Sequence, residues 1–201
     1  MRLYARSRRL VAAVVTMTVL AVGNGLVGGR LLTLMSSDQP LMMPYRYVLS
    51  MFIAIIGVAS LESPVAQTDR SDTGPLWRTR QVHLLAMLAI TVALGAVSEL
   101  ATANGTPAQA VRAGLFWYGL ALISAGIGRA AYAWVLPMVA LFPLVWWGNA
   151  GGGPASWNWA TAPAVAALSW FVAITCLLLG AGASLLRRRA APTRVQTRRP
   201  L

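Results

Sequence analysis

Residues 113–147 read AGLFWYGLALISAGIGRAAYAWVLPMVALFPLVWW, a stretch whose one charge is Arg129. As a single helix it would run to about 52 Å at 1.5 Å per residue, well beyond a hydrocarbon core of roughly 30 Å even with ordinary tilt. Two helices joined at Gly126-Ile127-Gly128-Arg129 fit better. Glycine permits a tight turn there, and the arginine holds the turn at a membrane surface, because an arginine at mid-bilayer costs about 2.5–3.5 kcal/mol on insertion scales. The split decides the fold: it makes the crossings even in number and brings both chain ends to one side.

Outward from this stretch, further apolar runs cover 10–28, 44–61, 83–100 and 164–186, which with 113–128 and 130–147 give six spans. Each is near the ~17–25 residues a helix needs to cross. The expected fold is an all-α integral membrane protein. A bundle of six transmembrane helices at 10–186 lies between a basic N-terminus, 1–9, and a basic tail, 187–201, expected to be disordered or to lie along the headgroups. All 17 basic residues are arginine, and the six-span scheme puts fourteen of them on one face. Arg30, Arg46 and Arg112 fall on the other. Basic flanks are retained in the cytoplasm, so both termini are expected there, in a multi-pass protein of the cell membrane.

A composition 57% hydrophobic and 11% charged excludes an ordinary soluble domain, in which roughly 25% of residues are charged. The net charge of +12 is assigned to juxtamembrane arginines beside anionic lipid. No aromatic-basic recognition motif accompanies those arginines, so nucleic acid is not an expected partner. The absence of lysine with abundant Ala, Gly and Arg fits a GC-rich bacterial genome. The first apolar run resembles a signal peptide in its four preceding arginines, but it outruns the usual 7–15-residue apolar region and five more spans follow.

The connections carry the remaining information. Pro44 restarts the chain after 36–40, with Tyr45 and Tyr47 as interfacial anchors. The segment 62–81 is the largest internal gap and holds Glu62, Asp69 and Asp72 beside Arg70, Arg78 and Arg80. Ser71-Asp72 followed by Pro75 signals a helix start, here read as a short surface helix over 74–81 with Leu76 and Trp77 on the bilayer. The last outer loop, 148–163, is flanked by Trp146, Trp147, Trp157 and Trp159, whose indoles prefer the headgroup level.

No catalytic constellation emerges, and no cofactor motif. The lone Cys176 excludes an internal disulfide and a Cys-rich metal site, and the lone His83 is read as interfacial. A chain without lysine cannot form a Walker P-loop, so ATP could drive it only through a separate P-loop ATPase. Glu99 and Arg112 end adjacent spans on the outer side and form a candidate external ion pair. Gly25-x-x-x-Gly29 permits close helix approach, within the chain or in a homo-oligomer, and Asn24 can add an interhelical hydrogen bond. Pro137 and Pro143 are expected to bend the fifth span.

With Glu62 ending the second span and Thr73-Gly74-Pro75-Leu76-Trp77-Arg78 before the third, the six-span layout resembles the membrane subunit of an ABC-2-type exporter. The resemblance implies that a separate ATPase presses on this loop, with Leu76 and Trp77 supplying apolar contact and Glu62, Arg78 and Arg80 orienting it. It further implies that two permease chains form the path. Two function classes stay open: a transport subunit of this kind, and a non-transporting membrane protein that anchors, assembles or regulates a partner.

The arginine asymmetry makes a direct prediction. In a Cys176→Ala background, Gly152→Cys should react with an impermeant maleimide from outside intact cells, and Thr73→Cys only after permeabilisation. Outside labelling of Thr73→Cys would overturn the six-span arrangement.

Overall fold

The protein is described from a computed structural model, which describes residues 10–27, 31–34, 41–61, 75–102, 106–150, 153–154 and 162–189. Six α-helices follow one another: α1 (Leu10–Val27), α2 (Tyr45–Ala59), α3 (Pro75–Leu100), α4 (Pro107–Ile127), α5 (Val135–Trp146) and α6 (Ala167–Arg189). Four of them contain stretches long and apolar enough to cross a membrane: Leu10–Val27, Arg78–Leu100, Pro107–Ile127 and Ala167–Leu186. The other two are shorter than the expected spans. α2 has 15 residues and α5 has 12, about 22 and 18 Å at 1.5 Å per residue.

The break near Arg129 falls where chain length demands it. α4 ends at Ile127, Gly128 caps it by donating its N–H to Ser124 O, and the extended Arg129 leads into a 3₁₀ turn, Ala130–Tyr132. Gly128 is needed for space, since a Cβ there would lie 2.9 Å from the Tyr132 ring. Ser124 then stitches the corner. Its hydroxyl donates to Tyr132 O and accepts from Leu136 N. In α5 only Pro143 sits inside the helix, removing the hydrogen bond to Val139 O. Pro137 is the third residue of α5, where an N–H has no intrahelical partner, so it does not act as the expected bend.

Two expectations are corrected. Instead of a separate surface helix over 74–81, the chain from Pro75 forms the opening turns of α3, because nothing between Pro75 and His83 interrupts a helix. The fold is helical as expected, with two short hairpins beside the helices. Strands β1 (Leu31–Leu34) and β2 (Leu41–Pro44) pair antiparallel, Leu31 opposite Pro44, and β3 (Asn149–Ala150) pairs with β4 (Gly153–Pro154). Four-residue apolar runs on either side of a polar turn carry too little periodicity to announce themselves as strands. The second correction is that Tyr47, read as an interfacial anchor, is buried.

α4 is the centre of the bundle. It packs most extensively against α6, then against α2 and α3, with α5 beside it, while α1 lies on α2 and α3. Trp117 and Tyr118 are buried, and Tyr118 Oη donates to Leu84 O at 2.9 Å, tying α4 to α3. The α4–α6 crossing is backbone against backbone. A Cβ on Gly119 would lie 2.5 Å from Leu177 N, and one on Gly180 2.5 Å from Gly119 O. Gly126 meets Ala183 in the same way one turn pair further along, its Cβ position 2.8 Å from the alanine methyl. Glycine and alanine at such crossings let backbones approach where lipid gives no hydrophobic drive.

The outer surface is apolar. Val11, Val15, Val19, Val22 and Leu26 form an exposed stripe on α1, and Phe171, Leu178 and Leu179 are exposed on α6. A water-soluble helix turns such a stripe inward. The structure therefore is that of a helical protein compatible with several membrane crossings.

Filling the α4–α6 contact should be costly. Gly119→Leu or Gly180→Leu should destabilise the protein by about 1–3 kcal/mol or more through overpacking. Gly23→Ala, with no atom within 4 Å of its Cβ position, should be neutral or slightly stabilising. Unfolding by SDS titration from bicelles, followed by far-ultraviolet circular dichroism, measures both.

Candidate functional site

Alternating helices run in opposite directions, so the C-terminal ends of α1 and α3 meet the N-terminal ends of α2 and α4. Polar residues gather at that end. Asn24 lies in the last turn of α1, Arg46, Tyr47 and Ser50 in the first turns of α2, Ser98 and Glu99 in the last turn of α3, and Gln109 and Arg112 in the first turns of α4. Asn24, Ser98, Glu99 and Arg112 are each at most 5% exposed.

Glu99 and Arg112 are both brought to this end, but the expected pair is replaced by other partners. The Glu99 carboxylate faces Arg46, with Oε2 3.6 Å from Nη1. Arg112 turns to the chain before α6, donating from Nη1 to Pro163 O at 2.8 Å and from Nη2 to Ala162 O at 2.6 Å. Gln109 Nε2 adds a third bond, to Ala162 O at 3.2 Å. Those carbonyls lie in the chain leading into α6, and Pro163 O also accepts from Ala166 N. Arg46 also lies over the Tyr47 ring, 5.4 Å from its centroid.

The interhelical bond expected of Asn24 is present: Nδ2 donates to Ser98 Oγ at 2.8 Å, and Ser98 Oγ donates in turn to Gly95 O at 2.8 Å. Gly25 lies in ordinary contact with Ala101 and Ser98, so its face serves packing of α1 on α3. A small cleft opens between the four helix ends, lined among others by Asn24, Arg46, Ser50, Glu99 and Gln109. Among the described residues no three His, Cys, Asp or Glu side chains gather as metal ligands.

The opposite end carries the loop candidates. Glu62 lies outside the described residues, as do Thr73, Gly74, Trp157 and Trp159. Leu76 and Trp77 begin α3, followed by exposed Arg78 and half-buried Arg80. His83 is buried, and its Nε2 is 3.1 Å from Ser60 Oγ. Ser60 Oγ donates to Gly57 O, so it accepts from the histidine, and the two ends flanking 62–74 are held together.

Sequence reasoning missed Ser98 and Gln109, and read Tyr47 as an interfacial anchor. Gln109 had a signal, since Thr106-Pro107-Ala108-Gln109 has the spacing of a capping box before an apolar run. In the fold Thr106 Oγ1 donates to Gln109 Oε1, fixing the amide so that its nitrogen faces Ala162. No family model, curated protein or solved structure matches this chain.

These partners predict which charges are coupled. Arg46→Gln and Glu99→Gln should be strongly non-additive, with a coupling of about 0.5–3 kcal/mol in a double-mutant cycle. The cycle between Glu99→Gln and Arg112→Gln should give the smaller value. Equal couplings would count against the Arg46 pairing.

Proposed function

We propose that the chain is a six-pass protein of the cell membrane with both termini cytoplasmic, acting as the permease-like subunit of an ATP-driven transporter whose ATPase is a separate chain. The observation that carries this reading is α3. It is one helix of 26 residues, about 39 Å long, leading from the end of the 62–74 segment to Glu99. Its length exceeds a ~30 Å core by some two turns, which leaves Arg78 and Arg80 beyond the hydrocarbon. A push on those turns reaches the Arg46–Glu99 contact without crossing a joint. The Ser60–His83 bond supports the same reading, because it moves the end of α2 with α3.

In this arrangement α2 and α5 also cross, lengthened by the turn at Ser60 and Leu61 and by the 3₁₀ turn before α5, with local bilayer thinning absorbing the rest. The chain's lack of lysine is why the ATPase must be a second subunit.

A second reading, an anchoring, assembling or regulatory membrane protein, is favoured by the filled centre of the bundle. Met17, Met51, Trp117 and Tyr118 close it, so a transported solute would have to pass between copies in a homo-oligomer.

Purification from the native membrane separates the two. The wild-type chain should bring down a P-loop ATPase, and Leu76→Ala with Trp77→Ala should release it while membrane insertion is unchanged. If the wild type retains no ATPase, the anchoring reading replaces the transport one.

A further inference from the structure

α5 carries aromatic rings at both ends of one exposed face. Trp134, Met138, Phe142 and Trp146 recur at every fourth residue and so share that face, and all are exposed, Trp134 by 51% and Trp146 by 46%. The Phe142 and Trp146 rings stack, with centroids 4.4 Å apart and planes 15° apart. Tyr132 at one end and Trp147 at the other are exposed as well, and exposed Val139 adds to the apolar middle. The sequence 130–150 has no charged residue, and exposed Arg129 stands just before it. Indole and phenol rings settle at the headgroup level, apolar body inward and polar tip to water, so two such clusters around an apolar middle mark the two surfaces of a bilayer.

The clusters are close together. Trp134 and Trp146 are twelve residues apart, about 18 Å along the helix. Helical side chains lean towards the N-terminus, so both rings shift the same way and their levels keep that separation. A hydrocarbon core of ~30 Å exceeds it by about 12 Å, and tilting α5 only shortens its projection. The neighbouring helix repeats the deficit. The 3₁₀ turn before α5 packs on α2, and α5 packs on β2, which leads into α2. α2 itself has 15 residues, about 22 Å. In α3 and α6, by contrast, the apolar stretches have 23 and 20 residues, about 30–35 Å. The bundle thus fits an ordinary bilayer along α3 and α6 and a thinner one along α5. A lipid pressed against a helix shorter than itself pays for every ångström of mismatch, so a shorter chain is preferred there. We propose that the exposed face of α5 is a lipid-selecting surface, occupied by phospholipids with short acyl chains in preference to long ones.

The proposal rests on α5 crossing the membrane, as in the six-pass reading, and not on an ATPase partner. Val139 on α5 and Val19 on α1 are almost equally exposed, at 63% and 64%, which makes them matched reporters. In a Cys176→Ala background, the full chain carrying bimane on Val139→Cys or on Val19→Cys is reconstituted in dioleoyl-phosphatidylcholine. Quenching by dibrominated dimyristoleoyl- or dierucoyl-phosphatidylcholine then gives the relative binding of short and long lipid at each position. The short lipid should be favoured about threefold or more at Val139→Cys and by a smaller factor at Val19→Cys. Because 130–150 has no charge, only the rings mark the levels of α5, and Trp134→Leu with Trp146→Leu should bring its ratio towards that of α1. Equal ratios at the two positions overturn the proposal, and so does a short-chain preference that the double substitution leaves unchanged. An absence of quenching at Val139→Cys by either lipid would mean that a second copy covers the face, and overturns it too. The crossing is read separately, from Ala131→Cys and Gly152→Cys, which should label from opposite sides. Same-side labelling overturns the six-pass reading together with the proposal, whereas opposite-side labelling with equal lipid ratios overturns the proposal alone.

Discussion

The backbone-to-backbone crossing of α4 and α6 is the contact on which the bundle depends. In a sequence this apolar, helices cannot be sorted by hydrophobicity, because lipid tails are as apolar as leucine. Close approach supplies the discrimination instead. Gly119 lies against the backbone of Cys176 and Leu177, Gly180 against Gly119 O, and Gly126 against the Ala183 methyl, so the helices meet along two turns with no large side chain between these positions. α6 can then leave Phe171, Leu178 and Leu179 facing outward and still be fixed. On its remaining faces α4 presents large groups, Trp117 and Tyr118, against which α2 and α3 pack. One helix thus joins by glycine on one face and by aromatic volume on the others.

Polar bonds complete what packing leaves loose. α1 buries only Met17, Ala21 and Asn24, so its Asn24–Ser98 bond, worth about 0.6–2 kcal/mol between membrane helices, is a large part of what holds it. At the start of α4, Arg112 captures Ala162 O and Pro163 O and sets where α6 begins, while the glycines set how it crosses. Glu99 sits at the unfavourable C-terminal end of its own helix, but beside the N-terminal ends of α2 and α4, whose dipoles offset this by about 0.3–1 kcal/mol each.

Chain length and charge made the corner at Arg129 legible, because no single helix accommodates 113–147. The gathering of Glu99, Arg46 and Arg112 at one end also follows from counting along alternating helices. Their pairing does not, since partner choice depends on how each helix is rotated about its axis, and α4 is turned so that Arg112 faces Ala162 and Pro163. Gly25-x-x-x-Gly29 stood out by spacing, yet Gly25 makes only ordinary contacts. Gly119 and Gly126 stand seven residues apart among aromatics and aliphatics, with partners Cys176, Leu177 and Ala183 far along the chain, so nothing local marks them. The boundary imagined between 74–81 and the third span reflected a change in polarity. Polarity selects the medium around a helix, and the backbone of α3 runs through it unbroken.

That continuity gives the fold its mechanical character. Within α3 the polar side chains are satisfied locally, Thr91 Oγ1 on Met87 O and Ser98 Oγ on Gly95 O, so the helix makes few polar commitments to its neighbours along its middle. Its long-range bonds are concentrated at two levels, Ser60 to His83 with Leu84 to Tyr118 near the start, and Asn24 to Ser98 at the end. The first level is closed by good hydrogen bonds. The second adds a 3.6 Å ion pair and unpartnered atoms on Asn24, Arg46 and Glu99. The Glu99 end thus combines one short bond, from Asn24 to Ser98, with a looser ion pair between Arg46 and Glu99.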